Sequence, residues 1–299
     1  MKIKGSTKFV LLSAIILIVL GILFTLESQK AGRLKLIFCD VGQGDGILIV
    51  TPKGKQVVVD GGPGTKVVDC LSSKMPFWDR TIEMMILTHA QEDHIEGQVE
   101  IFNRYKVERV VWNGVENETA LFDEWQKLLS AEKSQVHLAK EGDLIKLDKT
   151  SLEVLWPTAE RLSIWQTLAP TDLNESSVVV RIEYGDPSTR SKISGQASSG
   201  PRFCAYLTGD LAKEILEGLI NKHCQILKIS HHGSKTGTSE ALLELASPKI
   251  AVIQVGKNRF GHPHKEVLDL LTSKGIKILR NDTVGTIEIE SGGKSYTVN

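Results

Sequence analysis

The chain has few cysteines, and their spacing gives no sign of a cysteine-based framework. Four cysteines occur in 299 residues, and none belongs to a Cys-x-x-Cys pair. Cys39 and Cys204 lie within apolar, strand-like runs. We therefore expect the cysteines to be small buried hydrophobic residues, and we expect no disulfide framework.

An excess of charge of either sign is also missing. The chain carries 36 basic and 36 acidic residues, and Lys2, Lys4 and Lys8 precede its longest apolar run. Without those three lysines, 33 basic residues face 36 acidic ones, which gives a net charge of −3. This balance excludes the overall positive field that is typical of nucleic-acid-binding domains. Any nucleic-acid substrate would have to be held by a local patch or by a metal ion.

One apolar run is long enough to span a membrane. Residues 9–26 contain no charged residue, and as a helix they would extend about 27 Å, close to the thickness of a bilayer's hydrocarbon core. We expect a transmembrane signal-anchor helix, and the preceding lysines predict a single-pass protein with its following domain extracytoplasmic. The alternative is a signal peptide that is cleaved to release a secreted protein. The apolar region of a signal peptide is usually shorter, about 7–15 residues, and no clear cleavage site follows here.

Residues 33–299 show the hydropathy pattern of an α/β domain. Short apolar runs typical of strands come first, separated by glycine-rich turns, and later runs alternate with helical patterns. The small, polar segment 186–201 predicts a flexible hairpin insertion. We expect one layered α/β domain, with helices over residues 98–105, 120–130, 211–220, 239–245 and 265–274.

The most informative cluster follows the apolar run 84–87. His89, Asp93 and His94 lie within six positions, in what we expect to be the turn before the next helix. Two imidazoles and a carboxylate in such a turn can converge on one cation, and Zn²⁺ and Mn²⁺ accept these ligands. Taken alone, the cluster is equally compatible with ordinary loop residues.

Three other apolar runs end in the same types of residue. Asp60, Asp210 and the pair His231–His232 each follow a separate strand-like run. The carboxyl ends of strands are the usual place for a site in an α/β sheet. We therefore expect these residues to meet the first cluster around a divalent metal ion, and one histidine of the pair could orient its neighbour instead of binding the ion.

The order of these motifs resembles the metallo-β-lactamase superfamily, and it closely resembles the extracellular domain of ComEC-type competence (DNA-uptake) proteins. The resemblance implies a metallo-β-lactamase αββα sandwich over nearly all of residues 34–299. The matching stretches are Phe-Cys-Asp-Val-Gly-Gln-Gly-Asp (38–45), Val-Asp-Gly-Gly (59–62), Thr-His followed by Asp-His-Ile-Glu-Gly (88–97), Asn-Glu-Ser-Ser-Val (174–178), Leu-Thr-Gly-Asp (207–210), Leu-Lys-Ile-Ser-His-His-Gly-Ser (227–234) and Gly-His-Pro (261–263).

Carried over position by position, the resemblance implies site residues. Asp210 would bridge two ions if two bind, and Asp60 would support the site. Asp40 and Asp45 would lie at its rim, although turn and cap chemistry is also a plausible explanation for them. His262 could contact a substrate phosphate or donate a proton to the leaving group, or it could be an ordinary loop residue. The implied metal ligands are His89, Asp93, His94, Asp210 and His231.

Two positions depart from the superfamily's usual pattern. Gln91 stands where H-x-H-x-D-H has its second histidine, and the stretch that begins at Asn174 replaces a later metal-binding histidine. This pattern resembles the ComEC-type branch itself. It weakens one of two metal positions, so we expect a single tightly held ion or a labile pair with Mn²⁺. Gln91, Asn174 and His232 are candidates for supporting or rim positions.

Together these features predict a membrane-anchored hydrolase that uses a metal-activated water, with one or two Zn²⁺ or Mn²⁺ ions as cofactor. Asp93, Asp210 and His262 are the candidate catalytic residues. The resemblance implies a phosphodiesterase or nuclease that acts on DNA. The alternatives are a hydrolase of another ester, amide or small phosphodiester, and a tethered binding module without catalysis. No obligate protein partner is predicted.

Overall fold

The computed structural model describes residues 32–185 and 202–299, together with residues 12–13 and 15–19. Of the segment predicted to span the membrane, residues 12–13 and 15–19 are helical, and the rest lies outside the described residues. The predicted hairpin insertion, residues 186–201, also lies outside them. Within the described ranges, no helix combines the length and the apolar character needed to cross a membrane.

The described residues form two large β-sheets. Strands of the first sheet are Leu34–Phe38 (β1), Ile47–Val50 (β2), Gln56–Val59 (β3), Met84–Ile86 (β5), Arg109–Trp112 (β7), Gln135–Leu138 (β8), Ile287–Ser291 (β16) and Tyr296–Val298 (β17). Their order is β17-β16-β1-β2-β3-β5-β7-β8. Strands of the second sheet are Leu144–Leu147 (β9), Thr150–Trp156 (β10), Val179–Tyr184 (β11), Phe203–Leu207 (β12), Ile226–Lys228 (β13), Ile250–Ile253 (β14) and Lys277–Arg280 (β15). These are ordered β15-β14-β13-β12-β11-β10-β9, and a short ladder joins Thr81–Ile82 (β4) to Lys106–Val107 (β6).

Helices connect many of these strands. Between residues 66 and 284 the described α-helices are Lys66–Lys74 (α1), Glu92–Phe102 (α2), Ala120–Glu132 (α3), Ala159–Trp165 (α4), Lys213–Leu219 (α5), Glu240–Ala246 (α6), Lys265–Ser273 (α7) and Asn281–Val284 (α8). Two short 3₁₀ turns lie at Leu173–Ser176 and Ser230–Gly233. The predicted helices are present with shifted ends, and the helix expected from residue 98 begins at Glu92, so Asp93 and His94 lie in its first turn. The structure also contains α1, α4 and α8, for which the hydropathy pattern gave no expectation.

Apolar side chains of the two sheets pack against each other and against the helices. In β1, Leu34, Leu36 and Phe38 lie in the core between the sheets, whereas Ile37 lies in the core under α1, α2 and α3. This alternation follows from the two-residue period of a strand. A third core joins the outer face of the second sheet to α5, α6 and α7. The layers are therefore helix, sheet, sheet and helix, as the resemblance implies.

The strand directions bring the polar strand ends together. Strand β3 is parallel to β5, and β12 is parallel to β13, so each pair has its carboxyl ends at one edge. Asp60 follows β3, His89 follows β5, Asp210 follows β12, and the pair His231–His232 follows β13. All of them lie at this edge of the sandwich.

Two glycines allow α2 to lie against the end of β3. A Cβ atom on Gly97 would be 2.0 Å from the carbonyl oxygen of Gly61, and a Cβ on Gly61 would be 2.4 Å from the amide nitrogen of Gln98. Backbone hydrogen bonds secure this contact, from Gly61 N–H to the His94 carbonyl at 2.7 Å and from Gly97 N–H to the Gly62 carbonyl at 2.8 Å. Larger residues at either glycine would push the first turn of α2 away from Asp60.

The expectation that no disulfide forms is wrong. All four cysteines are buried, as expected, but they pair as Cys39–Cys70 and Cys204–Cys224. The partners are 31 and 20 residues apart in sequence, while their Cα atoms are 5.9 and 4.9 Å apart. The packing of α1 on the first sheet brings Cys70 to the end of β1, and sequence spacing gives no information about that contact.

We expect the unreduced, denatured protein to contain no free thiol, because both pairs are closed. Replacing Cys204 and Cys224 with serine should lower the free energy of unfolding by about 3 kcal/mol. The reason is that a disulfide closing a loop of this length reduces the conformational entropy of the unfolded chain, and the variant regains that entropy. Mass spectrometry after alkylation without reductant measures the first expectation, and urea denaturation measures the second. Alkylation at all four cysteines would contradict the pairing.

Candidate metal centre

Four side chains form a compact group at the edge where the strands end. Ligand atoms from Asp93, His94, Asp210 and His232 all lie within 4.8 Å of one another. His94, Asp210 and His232 are buried, whereas the Asp93 side chain is 32% exposed. The group is therefore shielded from solvent at His94, Asp210 and His232 and accessible to solvent at Asp93.

The ring of His94 is held by Asp60. Asp60 Oδ2 accepts a hydrogen bond from His94 Nδ1 at 2.8 Å, and the same carboxylate accepts from the backbone N–H and the hydroxyl of Thr88 at 2.8 and 2.7 Å. A carboxylate only accepts here, so the proton of the neutral ring is on Nδ1 and the lone pair of Nε2 faces the group. Asp60 thus supports the site from beneath.

The ring of His232 is held in the same way. Its Nδ1 donates to the backbone carbonyl of Gln254 at 2.9 Å, so when the ring is neutral the lone pair of Nε2 points toward the group. His231 and His232 both have positive φ angles, 50° and 52°. A left-handed backbone is uncommon for residues other than glycine, and it turns these two adjacent side chains in different directions.

A divalent cation fits this arrangement. The Nε2 atoms of His94 and His232 are buried and have no hydrogen-bond partner among the described residues. His232 Nε2 lies 3.2 Å from Asp93 Oδ2 and 3.3 Å from Asp210 Oδ2, and His94 Nε2 lies 3.4 Å from Asp210 Oδ2. Ligands bound to a tetrahedral ion such as Zn²⁺ at 2.0–2.1 Å are about 3.3 Å apart. The two nitrogens and two carboxylates have the spacing and chemistry of such a donor set.

The electrostatics of the group also favour a cation. Burial alone would raise the pKa of Asp210, but the charges of His232, His94 and Lys228 outweigh it and hold the pKa well below its usual range. Burial lowers the pKa of His94 and of His232, yet the neighbouring carboxylates raise both pKa values well above the ordinary one. Without a metal ion, protons on the imidazoles balance the carboxylates. A bound cation would take over that role.

A buried lysine completes the balance of charge. Lys228 is fully buried; its ammonium contacts Asp45, lies 3.5 Å from Asp210 Oδ1 and donates to the Gly209 carbonyl at 2.9 Å. Asp45 is therefore buried beneath the group, which corrects the expectation that it lies at the rim. Lys228 is not among the residues predicted from the sequence. A signal for it was present, since Lys228 lies inside the apolar run 226–229. A lysine in such a run is expected to be buried, and a buried cation needs an anionic partner.

His89 lies beside the group, but both of its ring nitrogens have hydrogen-bond partners. Its Nε2 is 3.1 Å from Gln91 Oε1, and its Nδ1 is 3.0 Å from the Thr88 hydroxyl and 3.3 Å from that of Ser177. Burial and the charge of His94 lower the pKa of His89 to about 3, so the ring is neutral. Gln91 and Ser177 thus engage the nitrogens that a metal at this position would need.

The remaining predicted residues lie outside this group of four. The His231 side chain is 29% exposed, and its Nε2 is 4.0 Å from Asp210 Oδ2, so His232 occupies the position expected for His231. The ring of His262 packs 5.4 Å from that of His231. Asp40 accepts from the N–H of Gly42 at 3.3 Å, which is turn chemistry. Asn174 has a buried Oδ1 without a hydrogen-bond partner in the described ranges.

The fold defines the class of protein. YhfI, a metallo-β-lactamase fold protein from Bacillus subtilis, has a TM-score of 0.53 at 11% identity and covers 87% of this chain and 100% of its own. Igni18, a metallo hydrolase from Ignicoccus hospitalis, has a TM-score of 0.52 at 15% identity with coverages of 86% and 98%. CmlA, a diiron β-hydroxylase from Streptomyces venezuelae, has a TM-score of 0.53 at 13% identity with coverages of 87% and 54%. The chain has the metallo-β-lactamase fold.

Sequence comparison identifies the relatives more closely. ComE operon protein 3 of Bacillus subtilis is 32% identical over 282 aligned positions, which cover 83% of this chain and 32% of that protein. Recombination protein 2 of Haemophilus influenzae is 27% identical over 240 positions, which cover 78% and 26%. The chain spans about a third or less of the length of these relatives. No family model matches it. The predicted resemblance to a ComEC-type metallo-β-lactamase domain is confirmed.

The two adjacent histidines make a matched pair for a metal-binding test. His232→Ala should weaken Mn²⁺ or Zn²⁺ binding by more than the roughly 10–100-fold that loss of a residue supporting a ligand costs. His231→Ala should bind metal nearly as the unmodified protein does, because His231 lies outside the group. Isothermal titration calorimetry measures both. Stronger loss in His231→Ala than in His232→Ala would reverse the assignment.

Lys228 permits a test of charge balance. Lys228→Met leaves Asp45 and Asp210 buried without their cation, so the free energy of unfolding should fall by about 3–5 kcal/mol. The double variant Lys228→Met with Asp45→Asn removes one charge of each sign and should recover much of that loss. Urea denaturation compares the two variants. A single variant as stable as the unmodified protein would show that Lys228 does not balance these carboxylates.

Proposed function

We propose that this chain is a metal-dependent phosphodiesterase that cleaves DNA. The observation that carries this proposal is the pair of unpartnered Nε2 atoms of His94 and His232, which face Asp93 and Asp210. Buried polar atoms normally have partners, so two imidazoles aimed at two carboxylates are best explained by a cation between them. The exposed side of Asp93 leaves room for a substrate.

In this proposal Asp93, His94, Asp210 and His232 hold one divalent ion, Zn²⁺ or Mn²⁺. When bound, such an ion lowers the pKa of water toward 7 and stabilises negative charge that develops on a phosphoryl oxygen. A second ion is not required. The nitrogens of His89 are engaged by neighbouring side chains, and Lys228 already supplies a positive charge beside Asp210.

The residues of the chain orient the reacting groups. Asp210 contacts both histidines and Lys228, which keeps its carboxylate in one position before substrate arrives. Asp93 lies at the open side, where its carboxylate can accept a hydrogen bond from a water and direct that water toward phosphorus. Asp93 and Asp210 are therefore the proposed catalytic carboxylates.

His262 is proposed to contact the substrate phosphate. Burial lowers its pKa to about 4, and the charges of His231, His232 and His264 contribute to the same shift. The ring is then neutral at pH 7, and it can donate a hydrogen bond from its N–H but holds no extra proton for a leaving group. Of the two roles open to His262, phosphate contact therefore fits better than proton donation.

DNA is the proposed substrate because of the relatives. The name of one relative refers to recombination, a process that handles DNA, and the sequence motifs resemble those of ComEC-type competence (DNA-uptake) proteins. Igni18 is a metallo hydrolase, which agrees with the proposed reaction class. CmlA is a diiron β-hydroxylase on the same fold, so the fold alone does not decide the substrate.

We also propose that the domain works outside the cytoplasm, attached by the segment 9–26. The disulfides Cys39–Cys70 and Cys204–Cys224 support this location, because disulfides persist mainly in oxidising compartments. Strand β1 begins at Leu34, a few residues after the predicted anchor. The three lysines before the anchor favour the same orientation.

The activity is tested with the purified full chain and single-stranded or plasmid DNA, across Mn²⁺, Zn²⁺ and Mg²⁺. Cleavage should require a divalent ion and should stop with a chelator. Asp93→Asn and Asp210→Asn should each reduce the rate at least about 1000-fold, since a metal ion contributes several kcal/mol to such reactions.

Asp123→Asn, on the exposed face of α3, is the matched control and should leave the rate unchanged. Cleavage that persists in Asp93→Asn or Asp210→Asn would reject the site. Metal-dependent hydrolysis of model esters without any cleavage of DNA would reject the substrate.

A further inference from the structure

The loop of residues 256–264, here called the rim loop, lies beside the metal centre. Of its residues, only His262 takes part in the proposed reaction. We propose that it is a binding subsite for single-stranded nucleic acid, on which Phe260 stacks a base while nearby cations pair with phosphates. This inference rests on the proposed function and specifies how the substrate is held.

The rim loop is held in one conformation by a single side chain. Asn258 Nδ2 donates to the carbonyls of Gly256 and His262 at 2.9 and 2.8 Å. Asn258 Oδ1 accepts from the N–H groups of Phe260 and His262, both at 3.0 Å. These four hydrogen bonds fix the backbone that carries Phe260 before any ligand arrives, which reduces the entropy cost of binding.

The rim loop is packed directly on the turns of the metal centre. A Cβ atom on Gly233 would lie 2.5 Å from Pro263 Cβ, and the N–H of His264 donates to the Gly233 carbonyl at 2.9 Å. At the other end of the loop, a Cβ on Gly256 would lie 2.4 Å from the carbonyl carbon of Gly42. Since Gly233 follows His232, the loop is fixed relative to a proposed metal ligand.

A row of rings leads from solvent to the metal centre. Phe260 is 63% exposed, and its ring stacks on that of His262 with 5.7 Å between centroids and 29° between planes. The His262 ring contacts that of His231, and His231 Nε2 is 4.0 Å from Asp210 Oδ2. A single exposed phenylalanine is common on protein surfaces. This one extends a row of rings that begins at the metal centre.

The rim loop and the turn that contacts it carry cations without carboxylate partners in the described ranges. Lys235, Lys257 and Arg259 are exposed, and in the part of the chain that the structure describes none of them forms an ion pair. Lys257 and Arg259 are in the rim loop, and the backbone N–H of Lys235 donates to the ring of His264 at 3.3 Å. In the proposal, these residues supply the local positive charge that a chain of zero net charge would need to hold a polyanion.

The combination of an exposed aromatic face with nearby free cations is the chemistry of single-strand binding. In a duplex the bases are stacked on one another and their faces cannot contact Phe260. In a single strand, a base can stack on Phe260 while a neighbouring phosphate approaches the metal centre. The subsite should therefore favour single strands over duplexes of the same sequence.

Binding is measured on the full chain in detergent with chelator present, so that cleavage does not contribute. The probe is a single-stranded oligonucleotide that contains 2-aminopurine, whose fluorescence falls when it stacks. Phe260→Ala should weaken binding about 10-fold or more, the usual effect of removing one stacked base contact. Phe260→Trp should retain binding and quenching, because tryptophan also offers a flat ring.

Phe77→Ala is the matched control. Phe77 is 80% exposed and precedes the short strand β4, away from the rim loop, so its removal should leave binding unchanged. A double change of Lys257 and Arg259 to glutamine should reduce the slope of log binding constant against log salt by about 1.4, since each phosphate contact on a single strand contributes about 0.7.

Three results would overturn the subsite: undetectable binding of single strands by the unmodified chain, equal binding by Phe260→Ala and Phe77→Ala, or equal affinity for single strand and duplex. The nuclease proposal fails in a different way. A chain that binds single strands through Phe260 but never cleaves them supports the subsite and rejects the nuclease. Cleavage that is accompanied by unchanged binding in Phe260→Ala rejects the subsite alone.

Discussion

Three buried carboxylates, those of Asp45, Asp60 and Asp210, each have an oxygen within 4.8 Å of a ring nitrogen of His94 at the edge of the sandwich, and the arrangement of the site depends on how their charge is balanced. An isolated buried charge costs far more than a folded domain can tolerate. Asp60 is held by three donors, Asp45 by Lys228, and Asp210 by contacts with Lys228 and two histidines. A divalent ion beside Asp93 would complete the same balance.

This requirement explains why the two halves of the site differ. On one side, His94 and His232 each give one ring nitrogen to a fixed acceptor and keep the other toward the carboxylates. On the other side, His89 has both nitrogens engaged by Gln91 and by hydroxyl groups. The same fold therefore presents one position that is suited to a cation and another that neutral hydrogen bonds have filled. The buried ammonium of Lys228 provides positive charge where a second ion would otherwise be the simplest source.

The proposed subsite answers a difficulty that the composition raises. A chain with equal numbers of acidic and basic residues has no general attraction for DNA, so a DNA substrate must be held locally. The rim loop combines an exposed aromatic ring with cations that form no ion pair within the described ranges, and it is packed on the turn that carries His232. Binding and catalysis would then share one rigid support, which is how a site keeps its substrate aligned with its reacting groups.

The amino-acid sequence is enough to predict the fold class, the strand ends that carry the site, and the residues Asp93, His94 and Asp210 that the structure brings together. These follow from local hydropathy and from motifs that are contiguous along the chain. Three features are visible only once the chain is folded: His232 rather than His231 joins the group, Asp45 is buried against Lys228, and the cysteines pair. Each of these depends on backbone turns and on contacts between segments far apart in sequence, and a linear pattern contains no information about either.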